Sequence, residues 1–247
     1  MSGNPTTHAH GTVIAVVGAG GGAGATVLAA TLADTAHSTG RKVLLVDGDT
    51  LGGGLEFVLG WEDHPGHRWP QLAKHHHPDD IAVALRNAPT HGQLTLLAHD
   101  RRHHLHLDAT TMAIVLDAAR LTHDLIVVDI PRHIDDATRG VLGTADHTLI
   151  VTTDQLHTVM AGGHVARTVN AYSPHHRLVI RTTPAGQLTA DQIVNSLRLD
   201  LAGVVRSEPR LAQRIEQGGM FTNDRGPLVA LCRKLTTELC PSTRNAA

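Results

Sequence analysis

Short apolar segments rich in β-branched residues alternate along this chain with longer segments of helical period. The first reads TVIAVVG over Thr12–Gly18, which is the length of a strand buried on both faces. Similar segments follow at Lys42–Val46, Leu94–Ala98, Leu125–Val128, Thr148–Thr152, Arg177–Ile180 and Ala202–Val205. Helical patterns lie at Ala25–Ala36, Asp79–Asn87, Ala109–Leu121, Val159–Ala171, Ala190–Leu199, Arg210–Gln217 and Gly226–Cys240. This order predicts an α/β fold, with a mostly parallel sheet of about seven strands and helices on both faces.

The same pattern sets the expected domain organisation. Residues 12–240 carry the alternation without a linker that would divide them, so we expect a single-domain three-layer sandwich. Residues 1–11 and 241–247 are expected to be flexible tails. The segment Glu62–Asp80 contains three prolines and no regular period, which predicts a long surface excursion.

Composition excludes several classes of protein. Hydrophobic residues make up 41% of the chain and charged residues 18%, which excludes an intrinsically disordered chain. The net charge of -2 argues against a general nucleic-acid binder. Two cysteines, Cys232 and Cys240, make no disulfide framework, so we expect a cytoplasmic protein in which both thiols pack as small apolar groups. The last helix, with one leucine face and no aromatic residue, is expected to pack on the core and not on a membrane.

A glycine-rich turn separates the first strand from the first helix. Glycine allows positive φ and close approach of the backbone to a ligand, and the N–H groups at a helix N-terminus bind anions. The sequence therefore predicts a phosphate-binding loop, and the alternative is a flexible connection between strand and helix. The ordinary loop reads G-x-x-x-x-G-K-[ST], and here the lysine position holds Ala25 while Thr26 keeps the hydroxyl position.

Carboxylates follow two other strands. Asp47 and Asp49 come after the second strand, and Asp129 ends another. Ligands of parallel sheets bind beyond the carboxyl ends of the strands, so we expect these groups to lie at the same edge as the glycine loop. There they could hold Mg²⁺ through water or orient an attacking water. The alternative for Asp129 is a turn former or helix cap.

Residues 12–240 resemble the MinD/ParA family of deviant phosphate-loop ATPases. The family's loop, K-G-G-x-G-K-[ST], maps onto GGGAGAT at residues 20–26. Asp49 falls at the family's first switch aspartate and Asp129 at its Walker B aspartate, while ADHTLIVTT resembles the family's A-D-x-x-x-x-V-T-T strand. The segments VDGDTLGGGLEFVLG, RWPQLA, HDLIVVDIPRHIDD and VIRTTPAG resemble the CpaE-like branch of actinobacteria, which includes septum site-determining proteins.

The resemblance implies a P-loop NTPase fold and a set of site residues. The implied nucleotide-binding residues are Gly20, Gly21, Gly22, Ala23, Gly24, Ala25, Thr26, Val27, Arg132 and Arg181. Thr26 and Asp129 would hold Mg²⁺, the latter through water, and Asp49 would be catalytic if the protein is active. Arg181 stands where relatives often carry an adenine-reading asparagine. For Arg132, the alternative to phosphate contact is an ion pair with Asp135 or Asp136.

Both lysines of the family's loop are absent. Gly20 replaces the signature lysine that reaches a partner's nucleotide, and Ala25 replaces the Walker lysine. The resemblance therefore implies a degenerate P-loop ATPase with weakened binding of ATP and Mg²⁺, and with weak or absent hydrolysis. The alternative is an active ATP-dependent dimeric switch in which arginines take the place of the lysines.

The implied function is that of a spatial regulator. It would be a cytoplasmic homodimer that positions the septum or a Flp-type pilus or secretion apparatus, recruited to the membrane, septum or pole through protein partners. A second alternative is a DNA-partitioning ParA-type ATPase, against which the near-neutral charge counts. Histidine clusters at residues 8–10, 75–77 and 103–106 lack a ligand spacing such as H-E-x-x-H, so surface histidines are favoured over a metal site.

Overall fold

The computed structural model describes residues 10–100, 107–217 and 225–241. Its strands are β1 (Thr12–Gly18), β2 (Val43–Asp47), β3 (Thr90–His91), β4 (Leu94–Leu97), β5 (Leu125–Ile130), β6 (His147–Thr153), β7 (His176–Thr182) and β8 (Leu201–Arg206). Its helices are α1 (Ala25–Ser38), α2 (Leu55–Leu59), α3 (Trp69–Leu72), α4 (Pro78–Leu85), α5 (Ala109–Thr122), α6 (Asp136–Thr144), α7 (Leu156–Tyr172), α8 (Ala190–Leu197), α9 (Pro209–Glu216) and α10 (Pro227–Leu239).

The strands form one sheet in the order β3-β4-β2-β5-β1-β6-β7-β8. All neighbouring pairs are parallel except β3 and β4. The α/β class and the mostly parallel sheet are thus confirmed, and each of the predicted strands is present with its bounds shifted by a few residues at most. The additional strand, β3, has only two residues, which is too short to show a period in the sequence.

Alternating side chains of each strand enter two separate cores, as the pleat requires. In β1, Val13, Ala15 and Val17 belong to one core, whereas Ile14 and Val16 belong to the other. Helices α3 to α8 cover the first core, and α1, α2 and α10 cover the second. This arrangement confirms the three layers, and it explains why the strands read as continuous apolar runs.

The segment between α2 and α4 differs from the expectation of a surface excursion. Trp69 and Leu72, on the four-residue helix α3, are completely buried in the first core. Arg68 precedes them and pairs with the buried Glu56 at 2.6 Å. One turn of helix holds too few residues to show a helical period. The sequence pattern therefore did not predict α3, although α3 belongs to the core.

Two other helices, α2 and α6, were also missing from the sequence prediction. Helix α2 has five residues. Helix α6 contains Gly140 and Gly143, which weaken a helical signal. Its N-cap is Asp135, whose carboxylate accepts a hydrogen bond from the backbone N–H of Thr138 at 2.8 Å.

The last described helix, α10, packs on the core as expected. Its leucines are buried in the second core, and both Cys232 and Cys240 are buried free thiols. Arg41 fixes the helix end by donating from Nη2 to the carbonyl oxygen of Cys240 at 2.8 Å. None of the described helices is long and apolar enough to cross a membrane.

Candidate nucleotide site

A cavity of about 530 Å³ opens at the carboxyl ends of the central strands. Its walls come from the loop between β1 and α1, from the segment that follows β2, from the ends of β5 and β7, and from the segment after β8. Every residue that the sequence predicted for the site lines it: Gly20, Gly21, Gly22, Ala23, Gly24, Ala25, Thr26, Val27, Asp49, Asp129, Arg132 and Arg181. The fold thus brings together groups that lie far apart in the chain, as the parallel order of the strands demands.

The loop has the backbone that its glycines predict. Gly22 and Gly24 have φ values of 70° and 100°, a region that favours glycine. The N–H of Ala23 donates to the carbonyl oxygen of Gly20 at 3.3 Å, which closes a turn, and that of Leu28 donates to Gly24 at 2.9 Å, which begins α1. The N-terminus of this 14-residue helix therefore faces the cavity with its positive dipole end.

Two buried aspartates stand side by side at the carboxyl ends of their strands, and Asp129 lines the cavity. Asp47 on β2 and Asp129 on β5 are register partners. Burial, with a smaller contribution from the neighbouring carboxylates, raises the pKa of each carboxyl to about 7. A hydrogen bond from Thr26 opposes this effect on the pKa of Asp129. Buried carboxyls next to a threonine hydroxyl are oxygen donors of the kind that Mg²⁺ favours, so these residues fit a magnesium-bound phosphate.

The oxygens of Asp47 and Asp49 also accept hydrogen bonds within their own loop. Asp47 accepts from the backbone N–H of Leu55 at 3.1 Å and of Asp49 at 3.3 Å. Asp49 is half-buried and accepts from the N–H of Leu51 at 3.1 Å. These bonds hold the loop after β2 in place beside the glycine loop.

The two predicted arginines behave differently. Arg132 is exposed at the rim of the cavity. The carboxylates that were its alternative partners are engaged elsewhere, since Asp135 caps α6 and Asp136 pairs with Arg139. The exposed position of the Arg132 guanidinium at the rim is compatible with contact to a phosphate.

Arg181 contacts the backbone of the glycine loop. Its Nε donates to the carbonyl oxygen of Ala23 at 3.0 Å, and its Nη2 donates to that of Gly22 at 2.6 Å. Its Nη1 donates to the Oγ of Ser207 at 3.0 Å. The guanidinium therefore joins the glycine loop to the segment that follows β8.

One part of the cavity wall is largely aliphatic. It is formed by aliphatic side chains from β7, β8, α9 and α10, namely Val179, Val205, Leu211, Ile215 and Leu228. The carboxylate of Glu208 accepts from the backbone N–H of Leu228 at 3.2 Å, which fixes the start of α10 against this part of the wall. A cavity with an anion-binding loop and an aliphatic wall suits a nucleotide.

Trp69 is a site-supporting residue that sequence reasoning did not identify, although RWPQLA carried part of the family resemblance. Its Nε1 donates to the carbonyl oxygen of Asp47 at 2.7 Å. Its ring stacks on His99 with the centroids 6.2 Å apart. Burial lowers the pKa of His99 to about 4, so this ring is neutral. Trp69 thus holds the end of β2, which carries Asp47, in place.

Replacement of Trp69 by phenylalanine is expected to lower the free energy of unfolding by about 1–3 kcal/mol, because the buried carbonyl of Asp47 loses its donor. Urea unfolding followed by circular dichroism measures this change. Trp61→Phe is the matched control, since Trp61 is also buried and stacks on His64. An equal loss in both variants would show that packing, and not the indole hydrogen bond, is responsible.

Histidine clusters do not form a metal centre in the described part of the chain. No three histidine, cysteine, aspartate or glutamate side chains converge there to hold an ion. In this part His76 and His77 are exposed and His75 is half-buried. His8 and His103–His106 lie outside the described residues.

Comparison with known proteins gives consistent matches. Residues 11–203 match the family described as cellulose biosynthesis protein BcsQ. An uncharacterized protein of Mycobacterium tuberculosis is 33% identical over 225 residues, which cover 91% of this chain and 63% of that protein. The chain therefore spans less than two thirds of that relative's length.

Solved structures share the fold. The cell division protein MinD of Aquifex aeolicus superposes with a TM-score of 0.76 at 21% identity, covering 91% of this chain and 97% of that one. MinD of Pyrococcus horikoshii, solved in complex with Mg-ADP, gives a TM-score of 0.73 at 19% identity, covering 91% and 95%. At these identities the similarity establishes the fold.

Proposed function

Because the chain belongs to the family described as cellulose biosynthesis protein BcsQ and has the fold of MinD and ParA proteins, we propose that it is a nucleotide-responsive spatial regulator. The observation that carries this proposal is the convergence of the glycine loop, Thr26 and Asp129 on a single cavity. The backbone amides and α1 would bind the phosphates, and Thr26 and Asp129 would hold the magnesium ion. The aliphatic part of the wall would receive the base.

The site is proposed to bind nucleotide weakly and to hydrolyse it slowly or not at all. Gly20 and Ala25 offer no cation to the phosphates. A charge-assisted hydrogen bond contributes about 1.5–3 kcal/mol, so the loss of one weakens binding without abolishing it. Loss of a cation acting on the transferred phosphoryl group costs about 10³–10⁵ in rate. Such a protein would respond to occupancy of its site and would not depend on rapid turnover.

We propose that the protein belongs to the CpaE-like, septum site-determining branch, where it would act as a cytoplasmic homodimer. It would mark a position for division or for a pilus or secretion apparatus, and would reach the membrane through those partners. The segments RWPQLA and VIRTTPAG support this branch. The family's description adds polysaccharide synthesis machinery as a third class of partner for the same switch. Affinity purification from the native cell, with mass spectrometry, distinguishes the three.

Three measurements on the purified protein test the proposal against its alternatives. Calorimetric titration with Mg-ADP is expected to show weak binding, and ATP turnover is expected to stay near background. Turnover typical of MinD or ParA enzymes would favour the active switch in which arginines replace the lysines, and Arg132→Ala would then abolish it. Tight, salt-sensitive binding to duplex DNA would favour the partitioning ATPase.

Dimerisation is expected to depend little on ATP. The cross-subunit lysine contact that the resemblance implies is absent at Gly20, so nucleotide adds no such contact between subunits. Sedimentation equilibrium with and without Mg-ATP measures the dimerisation constant, which we expect to change by less than about threefold. A monomer that dimerises only with ATP would contradict this prediction.

A further inference from the structure

The guanidinium of Arg181 is bound to the backbone of the glycine loop. Two of its nitrogens donate to consecutive carbonyl oxygens, those of Gly22 and Ala23, at 2.6 and 3.0 Å. The third contact, to Ser207, attaches the same group to the segment after β8. Arg181 is itself paired in register with Val205 on β8, so its backbone is held within the sheet. The side chain therefore connects a glycine-rich loop to a rigid support.

These contacts orient the peptide groups of the loop. The described peptide bonds contain no cis bond. In a planar trans peptide the carbonyl and the N–H point in opposite directions. When Arg181 holds the carbonyl oxygen of Ala23, the N–H of Gly24 is therefore directed away from the guanidinium. Gly24 is the N-cap of α1, so this N–H is one of the unsatisfied donors that a helix N-terminus offers to an anion.

The composition of the glycine loop explains why a contact from outside the loop matters to its order. Four of the residues from Gly20 to Gly24 are glycines, and glycine loses more conformational freedom on ordering than any other residue. Ala25 has no ammonium group that could bind the loop or its ligand. Arg181 supplies a cation to this loop, and its contacts fall on the loop carbonyls.

We propose that Arg181 is a positioning residue that holds the glycine loop by the carbonyl oxygens of Gly22 and Ala23, so that the N–H of Gly24 is ordered for an anion before the anion arrives. The inference rests on the proposed function, since it concerns the same site. It differs from base recognition, because the two contacts that carry it fall on loop carbonyls and not on a ligand. It predicts that Arg181 contributes equally to the binding of nucleotide and of a base-free diphosphate.

The first experiment measures amide hydrogen exchange of the ligand-free protein. In Arg181→Gln the amides of residues 22–25 are expected to exchange about 10-fold faster, because two charge-assisted contacts are lost, while other protected amides keep their rates. Arg177→Gln is the matched control, since Arg177 lies on the same strand but pairs with Glu238. Ser207→Ala leaves both carbonyl contacts and is expected to change loop exchange by less than about threefold. Unchanged exchange in Arg181→Gln would overturn the proposal.

The second experiment compares pyrophosphate with Mg-ADP by calorimetry. Arg181→Gln is expected to weaken both by the same factor, about 10-fold. Arg181→Lys keeps the charge but can reach fewer acceptors, so its affinities for both ligands are expected to lie between those of the parent and of Arg181→Gln. It replaces Arg181→Gln if that variant does not fold. A loss confined to Mg-ADP would overturn the proposal and assign Arg181 to the base. If the parent protein binds neither ligand, the proposed nucleotide switch fails, and hydrogen exchange still decides the role of Arg181.

Discussion

Replacement of Ala25 by lysine is expected to strengthen Mg-ATP binding about 30-fold. The lysine would supply a charge-assisted contact of about 2 kcal/mol to the phosphates, and about 1.4 kcal/mol corresponds to a factor of ten. Position 25 begins α1, is only partly buried and lines the cavity, so the longer side chain has room. Calorimetric titration of the parent and of Ala25→Lys measures the gain directly.

Hydrolysis is expected to rise appreciably only when Gly20→Lys is added. A Cβ at position 20 would lie 3.3 Å from Cγ2 of Thr158, so the Thr158 side chain has to shift by a few tenths of an ångström.

Ala25→Met is the matched control for the gain in affinity, because methionine adds a similar length without charge, and it should leave the affinity for Mg-ATP unchanged. Equal gains with lysine and methionine would show that packing is responsible. A parent protein that already binds Mg-ATP tightly would contradict the premise that the missing loop lysine weakens binding.

Replacement of Asp129 by asparagine is expected to stabilise the ligand-free protein at neutral and higher pH. Burial raises the pKa of Asp129 from 3.8 to about 7, so the folded protein retains a proton that the unfolded chain releases. A raised carboxyl pKa gives stability that is complete below about pH 4 and is lost as the pH rises through about 7. Asparagine does not titrate, so it contributes no such dependence of stability on pH. A pKa that differs by one between the folded and unfolded states corresponds to about 1.4 kcal/mol, so the advantage of the variant over the parent should grow by about 2–3 kcal/mol between about pH 5 and pH 8.

Urea unfolding at a series of pH values, without nucleotide or Mg²⁺, measures this difference. Asp63→Asn is the control, because Asp63 is exposed, and its stability should follow the parent at every pH. Asp47 is expected to add to the parent's own pH dependence, since burial also raises its pKa to about 7. A difference between Asp129→Asn and the parent that does not change with pH would show that Asp129 is already ionised in the folded state below about pH 5.

Much of the site was predictable because its requirements are local. A strand buried on both faces selects β-branched residues, and positive φ at Gly22 and Gly24 selects glycine within the same few positions. The alternation of strands and helices then predicts a parallel sheet, and carboxylates that end or follow its strands must meet at one edge. Asp129 and the loop were therefore identifiable as neighbours from the amino-acid order alone.

Short elements were not predictable in the same way. Strand β3 has two residues and α3 has four, and neither can display a period. The buried position of Trp69 follows from packing between α3 and the sheet, which no local pattern encodes. The segment RWPQLA indicated a resemblance but not a contact.

The amino-acid order alone is enough to predict the fold class, the glycine loop and the edge of the sheet where the site residues gather. Each of these three features depends on backbone conformations that are selected within a few residues. The atoms that the site residues contact are defined only in the folded protein. Arg181 meets the carbonyl of Gly22 across 159 positions, and Trp69 meets that of Asp47 across 22. The direction of a long side chain depends on the strands that pack around it, so it becomes defined only when the sheet is assembled.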